Sequence, residues 1–112
     1  MAKLYGITPI ELRDGVRGED FETFWLNEYA PQGQVLGWTS HLLKADRGAR
    51  SGQYAVIWEL PSIESRDRIL RADGSLTAEG ERRLGPTFTQ MNEKLDTFVT
   101  GWPYTDYMEL GG

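Results

Sequence analysis

The 112-residue chain contains no cysteine and has a net charge of −5 with an isoelectric point of 4.8. Disulfides and thiolate chemistry are therefore excluded, and nucleic-acid binding is not expected, because contacts to phosphates need a basic surface. The length predicts a single domain spanning residues 1–112, and the lack of a long apolar run or a signal-peptide core predicts a cytoplasmic protein with no membrane partner.

The first part of the chain is predicted to form a strand and then a helix. Residues 4–13 have strand character, with a break expected near Pro9, since proline has no N–H for a sheet ladder. Residues 18–30 are predicted to form a helix that Pro31 and Gly33 end. Its apolar stripe collects aromatic side chains, namely Phe21, Phe24, Trp25 and Tyr29.

Residues 35–43 and 54–60 are predicted to form an antiparallel hairpin. Both segments are rich in β-branched and aromatic residues, and turn formers fill the loop between them. With the loop centred near Ala49, Thr39 opposes Glu59 and His41 opposes Ile57. Alternation then produces two faces. The apolar face holds Leu36, Trp38, Ser40, Leu42, Tyr54, Val56, Trp58 and Leu60, and the mixed face holds Gly37, Thr39, His41, Leu43, Ala55, Ile57 and Glu59.

A second helix is predicted after the hairpin, with Ser62 as its N-cap and a stop at residues 73–74. Its solvated side is expected to carry Arg66, Arg68 and Arg71. A short helical turn capped by Thr77 follows.

The last helix is predicted to begin at Pro86, a residue well suited to the first helical position. Phe88, Met91, Leu95 and Phe98 recur at helical spacing, so we expect all four to be buried against the sheet. Residues 104–110 alternate and are predicted to form the closing strand.

This order of elements predicts an α+β fold, a ferredoxin-like βαββαβ four-stranded antiparallel sheet with helices on one face. The elements ITPIELRDG, FETFWLNEYAP and QYAVIWELPSIESRDRIL resemble the dimeric α+β barrel superfamily, which includes antibiotic-biosynthesis-type monooxygenases and NIPSNAP-like proteins. The resemblance implies a homodimer whose two sheets pair face to face into an α+β barrel, with a cavity between each sheet and its helices. The mixed face also predicts a dimer by itself, because no second layer of the chain is left to cover Leu43 and Ile57.

His41 and Glu59 on the mixed face are the candidate catalytic residues. His41 is the only histidine, it titrates near neutrality, and Glu59 lies diagonally from it and could orient it. The alternative is a hydrogen-bonded histidine inside the dimer interface. A metal site is not expected from one histidine without suitably spaced carboxylates. Haem-degrading members of the superfamily use a histidine on a helix, which this sequence lacks, so no cofactor is expected.

Aromatic side chains of the apolar face and the helices are the candidate ligand-binding residues. The predicted set is Trp25, Trp38, Ser40, Tyr54, Trp58 and Phe88, with Ser40 as the polar group. The alternative is that they fill the core. Arg47 and Arg50 in the hairpin loop could bind an anion or be simply solvated.

Two functions therefore stay open from the sequence. One is a cofactor-independent oxygenase, cyclase or isomerase acting on a small aromatic or polyketide-like molecule. The other is a non-catalytic dimeric binding or scaffold domain. A pocket of several hundred Å³ with more than one polar group would favour the first function, and a cavity too small for a ligand would favour the second.

Overall fold

Four segments with strand character form one antiparallel sheet in the computed structural model, which describes residues 3–111. The strands are β1 (Leu4–Ile10), β2 (Thr39–Lys44), β3 (Tyr54–Leu60) and β4 (Thr105–Met108). Their spatial order is β2-β3-β1-β4, and each neighbouring pair is antiparallel. The predicted four-stranded antiparallel sheet is confirmed.

The helical segments are α1 (Gly18–Phe24), a π-helical segment (Trp25–Tyr29), α2 (Pro31–Val35), α3 (Ile63–Ile69), α4 (Ala78–Leu84) and α5 (Pro86–Phe98). The predicted caps are confirmed: the Ser62 hydroxyl accepts from the Ser65 N–H, and the Thr77 hydroxyl accepts from the Gly80 N–H, each at 3.1 Å. No helix within residues 3–111 is long and apolar enough to cross a membrane.

The register of the predicted hairpin is confirmed, but its first boundary is wrong. Thr39 pairs with Glu59 and His41 pairs with Ile57. The chain from Pro31 to Val35 is helical instead of ending the helix and opening a strand, because Pro31 occupies a first helical turn, where a missing N–H costs nothing. The turn into β2 falls at Gly37, whose positive φ of +78° favours glycine.

The break expected near Pro9 is absent. Pro9 pairs with Ala55 in a regular ladder between β1 and β3. Strand β4 pairs with β1 only as far as Ile7, so Pro9 lies where β1 has a neighbour on one side and a missing N–H interrupts few ladder hydrogen bonds. Strand β1 ends directly afterwards, at Ile10.

The two faces of the sheet differ in burial as the alternation predicts. The covered face, against which the helices pack, comprises Leu4, Gly6, Thr8, Ile10, Tyr54, Val56, Trp58 and Leu60. The outer face consists of half-buried or exposed residues, namely Tyr5, Ile7, Thr39, His41, Leu43, Ala55, Ile57 and Glu59. The aromatic stripe predicted for the first helix is buried in full, at Phe21, Phe24, Trp25 and Tyr29.

Helix α5 is less deeply buried than predicted. Leu95 is 1% exposed and belongs to the core, whereas Phe88, Met91 and Phe98 are half-buried. Phe88 packs against the cluster that contains Leu4 and Leu60 of the sheet, but it also borders the cavity beneath the helix, which leaves it half-buried. The prediction that all four side chains are buried is therefore wrong for three of them.

Candidate ligand-binding site

A cavity of about 790 Å³ lies between the covered face of the sheet and the helices. Its floor includes Gly6, Thr8 and Val56 of the two central strands. Aromatic side chains dominate its wall, and they come from separate parts of the chain: Trp25, Tyr29, Trp38, Trp58, Phe88 and Trp102. Such a wall presents flat apolar surfaces on several sides of one space.

Local backbone features bring these rings together. In the π-helical segment, the rings of Trp25 and Tyr29 stack with centroids 4.5 Å apart and planes 15° apart. The Trp25 ring also contacts Trp58 across the cavity wall, with centroids 5.9 Å apart. Helix α2 approaches Trp58 closely at Gly33, where a Cβ atom would lie 2.1 Å from Cζ3 of the indole. A single glycine therefore sets the distance between α2 and the sheet.

Tyr29 connects two amide side chains of the cavity wall. Its hydroxyl donates to Oδ1 of Asn92 at 2.7 Å, and its backbone carbonyl accepts from Nε2 of Gln32 at 3.4 Å. Burial raises the pKa of Tyr29, so the phenol is protonated at neutral pH. Gln32 is buried, and its Oε1 has no hydrogen-bond partner among the described residues. The wall therefore contains hydrogen-bonding capacity that the protein itself does not use.

An ion pair lies at another part of the wall. Nη1 of Arg66 donates to Oδ2 of Asp106 at 2.9 Å, and its Nε donates to Oδ1 of Asp67 at 3.0 Å. The hydrogen bond to Asp106 raises the pKa of the guanidinium. The prediction that Arg66 is on the solvated side of its helix is thus wrong: the side chain is half-buried and turns toward the sheet, because its carboxylate partner comes from β4.

Four of the six predicted ligand-binding residues line this cavity, namely Trp25, Trp38, Trp58 and Phe88. Ser40 does not line it; its hydroxyl accepts a hydrogen bond from Nε1 of Trp25, a lining residue, at 3.3 Å. Tyr54 borders a separate, smaller cavity of about 240 Å³. Its hydroxyl donates to the Glu22 carboxylate, which raises the pKa of Tyr54 to about 12.

The candidate catalytic pair lies on the outer face, on the opposite side of the sheet from the cavity. Nε2 of His41 and Oε2 of Glu59 are 2.5 Å apart, so the predicted contact between them exists. Nζ of Lys3 lies 3.4 Å from the other carboxylate oxygen of Glu59. The hydrogen bond with His41 lowers the pKa of Glu59. A catalytic role for the pair stays a prediction.

Arg47 and Arg50 lie in the exposed hairpin loop, away from the cavity. Within residues 3–111 there is no group of three or more histidine, aspartate or glutamate side chains able to hold a metal ion. A ligand in the cavity would therefore meet the charged and polar groups of the cavity wall and not Arg47 or Arg50.

Several wall residues were not among the predicted site residues: Tyr29, Asn92, Arg66, Trp102 and Asp106. One sequence signal could have identified Asn92. It lies four residues after Phe88 and three before Leu95, on the same helical stripe, and a polar residue on an apolar stripe indicates a buried partner or a pocket. The pairing of Arg66 with Asp106 has no local signal, because the two residues are far apart in the chain.

Comparison with known proteins shows which solved structures share this fold. No family model and no curated protein matches the chain. A crystal structure of a NIPSNAP family protein of unknown function from Agrobacterium tumefaciens strain C58 matches with a TM-score of 0.64 at 14% identity, covering 96% of this chain and 87% of that one. A NIPSNAP-like domain protein from Burkholderia xenovorans matches with a TM-score of 0.61 at 15% identity, covering 97% and 86%. At such identities the similarity concerns the fold, and it confirms both the ferredoxin-like α+β architecture and the predicted resemblance to NIPSNAP-like structures at that level.

Proposed function

We propose that this domain binds a flat, largely apolar small molecule in the cavity between its sheet and its helices. The observation that carries the proposal is an aromatic-walled space of about 790 Å³. Small-molecule sites typically measure about 300–1,000 Å³ and combine apolar walls with a few polar groups. Here the polar groups include the Tyr29–Asn92 pair and the Arg66–Asp106 pair.

A purely structural scaffold is the less favoured alternative. Protein interiors pack with few voids larger than a water molecule, so a domain that used these aromatic residues only as core would have little reason to keep so large a space among them. The cavity therefore supports ligand binding over core filling.

Turnover of the bound molecule, as a cofactor-independent oxygenase, cyclase or isomerase, is the second candidate function. The presence of more than one polar pair in the wall favours it, since each pair could hold or polarise a reacting group. Activity assays on any ligand identified by the binding experiments below would test this step. Fold alone does not select a reaction.

Binding can be tested first without knowing the natural ligand. Native mass spectrometry of freshly purified protein is expected to show a retained small molecule. Fluorescence titration with N-phenyl-1-naphthylamine, a neutral aromatic reporter, is expected to show saturable binding.

Two matched variants place the reporter in the cavity. Leu36→Trp puts a bulky ring into the cavity wall at the end of α2, and should weaken reporter binding at least about tenfold, because overfilling displaces the ligand. Val35→Trp, at the neighbouring exposed position, is the control and should leave binding unchanged. Equal affinity in both variants would place the reporter elsewhere and contradict the proposal.

We also propose that the protein acts as a homodimer through the outer face of the sheet. That face exposes Leu43 and carries the half-buried Ile57 and Ala55 beside the His41–Glu59 pair. A sheet face with this apolar content gains stability when a second layer covers it. The resemblance to the dimeric α+β barrel superfamily supports a second copy of the chain as that layer.

A further inference from the structure

Asn92 is the polar member of the helical stripe by which α5 faces the sheet, and it lines the cavity. Its Oδ1 accepts the hydrogen bond from the Tyr29 hydroxyl at 2.7 Å. The side-chain amide nitrogen makes no hydrogen bond to another described residue. Two N–H donors of Asn92 are thus available on a wall that is otherwise mostly aromatic.

The partner hydroxyl determines which way this amide points. Tyr29 is 8% exposed, and a buried phenol O–H that loses its acceptor costs free energy. Flipping the Asn92 amide would place two N–H groups against the phenol and leave its hydrogen without this acceptor. Tyr29 is itself held by stacking on Trp25. In this orientation the N–H groups of Asn92 are the donors that the Tyr29–Asn92 pair leaves for a ligand.

The charges of the wall indicate that the complementary acceptor is neutral. Arg66 already contacts two carboxylates, those of Asp67 and Asp106. Arg71 donates to the carbonyl of Leu76 at 2.7 Å. Three aspartates and two arginines line the cavity, so the wall carries an excess of carboxylates, which disfavours an anionic ligand.

We propose that Asn92 is a specificity-determining residue that binds a carbonyl oxygen on a neutral aromatic ligand, with Tyr29 as its positioning residue. The inference rests on the proposed function, since it assigns the ligand class of the same cavity. An amide N–H and a ketone or quinone oxygen form a neutral hydrogen bond, and the surrounding rings supply the stacking surface for the aromatic part of the ligand.

The test uses two probes of nearly the same shape, 9-fluorenone and fluorene, which differ by a carbonyl in place of a methylene. Each is titrated against wild-type protein carrying the reporter N-phenyl-1-naphthylamine, and the displacement gives its affinity. Fluorenone is expected to bind about tenfold more tightly, as a hydrogen bond that would otherwise leave a donor unpaired can provide.

Three variants assign that preference to the pair. Asn92→Leu should remove it while fluorene affinity is kept, and Tyr29→Phe should reduce it, because the amide is then free to flip. The double variant carrying both substitutions leaves neither group unpaired, so it provides a folded test if Asn92→Leu is unstable. Asn27→Leu, at an exposed asparagine of the π-helical segment, is the control and should keep the wild-type preference.

The possible outcomes separate the two proposals. Equal displacement by both probes in the wild type, or an undiminished preference in the Asn92 variants, would overturn this inference and leave the binding function standing. Failure of the reporter and of both probes to bind the wild type would overturn the proposed function, and this inference with it.

Discussion

A single glycine sets the geometry of the site at the scale of one residue. Gly33 lies in α2 directly against the indole of Trp58, and a Cβ there would come within 2.1 Å of Cζ3 and 2.5 Å of Cη2. The nearest atoms belong to a bulky ring that also contacts Trp25, not to the end of a flexible side chain. The ring cannot yield without disturbing the cavity wall.

Gly33→Ala is therefore expected to destabilise the protein by about 1–3 kcal/mol, the usual cost of overpacking. The sign of the stability change tests the contact with Trp58, because a glycine-to-alanine substitution inside an unobstructed helix stabilises by about 0.5–1 kcal/mol. Urea denaturation of the variant and the wild type measures the difference. Gly101→Ala is the control, since a Cβ at that position meets nothing within 4 Å. Unchanged or increased stability in Gly33→Ala would show that α2 does not approach Trp58 this closely.

The residue scale also shows where the sequence was insufficient for predicting the site. Trp25, Trp38, Trp58 and Phe88 were identifiable as wall residues because strand alternation and helical spacing both place them toward the covered face. Those periodicities say which way a side chain points, but not whether the space in front of it is filled. Ser40 shows the difference, since it has the predicted parity, yet its hydroxyl is taken up by Trp25.

At the scale of elements, the sequence correctly predicted the features that depend on residues close together in the chain. The hairpin register followed from strand alternation and the centre of its loop, and both helix caps followed from one hydroxyl residue each. Helix α2 was not predicted, because Pro31 and Gly33 are usually helix-ending residues. In the structure Pro31 begins a new helix. A glycine is required at position 33 because a Cβ there would collide with Trp58, a residue distant in the chain.

Helix α5 is expected to contribute unequally along its length. Both Leu95 and Phe88 line the cavity, but Leu95 is 1% exposed and belongs to the core, so Leu95→Ala should cost about 2–5 kcal/mol, as truncations of buried side chains do. Phe88 is only half-buried, so Phe88→Ala removes fewer contacts and should cost clearly less. Chemical denaturation of the two variants provides the comparison. A loss below about half a kcal/mol for Leu95→Ala would mean that this helix is peripheral to the core.

At the scale of the whole molecule, the two faces of the sheet have separate roles in the proposed function. The covered face and the helices form the cavity proposed to bind the ligand, whereas the outer face carries His41 and Glu59, which the sheet separates from the cavity. Pairing of two outer faces would bury the histidine pair without closing the cavity. His41→Gln is then expected to leave reporter affinity in the cavity unchanged.

The proposed dimer predicts a mass near twice that of the 12.7 kDa chain in light scattering at micromolar concentration. Leu43 is 46% exposed in β2, at the outer face, so Leu43→Glu should convert the dimer to a monomer by placing a charge in the apolar interface. Leu26, which is 57% exposed in the π-helical segment, lies outside the sheet, and Leu26→Glu should leave the dimer intact. The added charge is the same in both variants, so a difference between them locates the interface on the outer face. A monomer mass for the wild type would remove the dimer from the proposal, and equal dissociation of both variants would place the interface elsewhere.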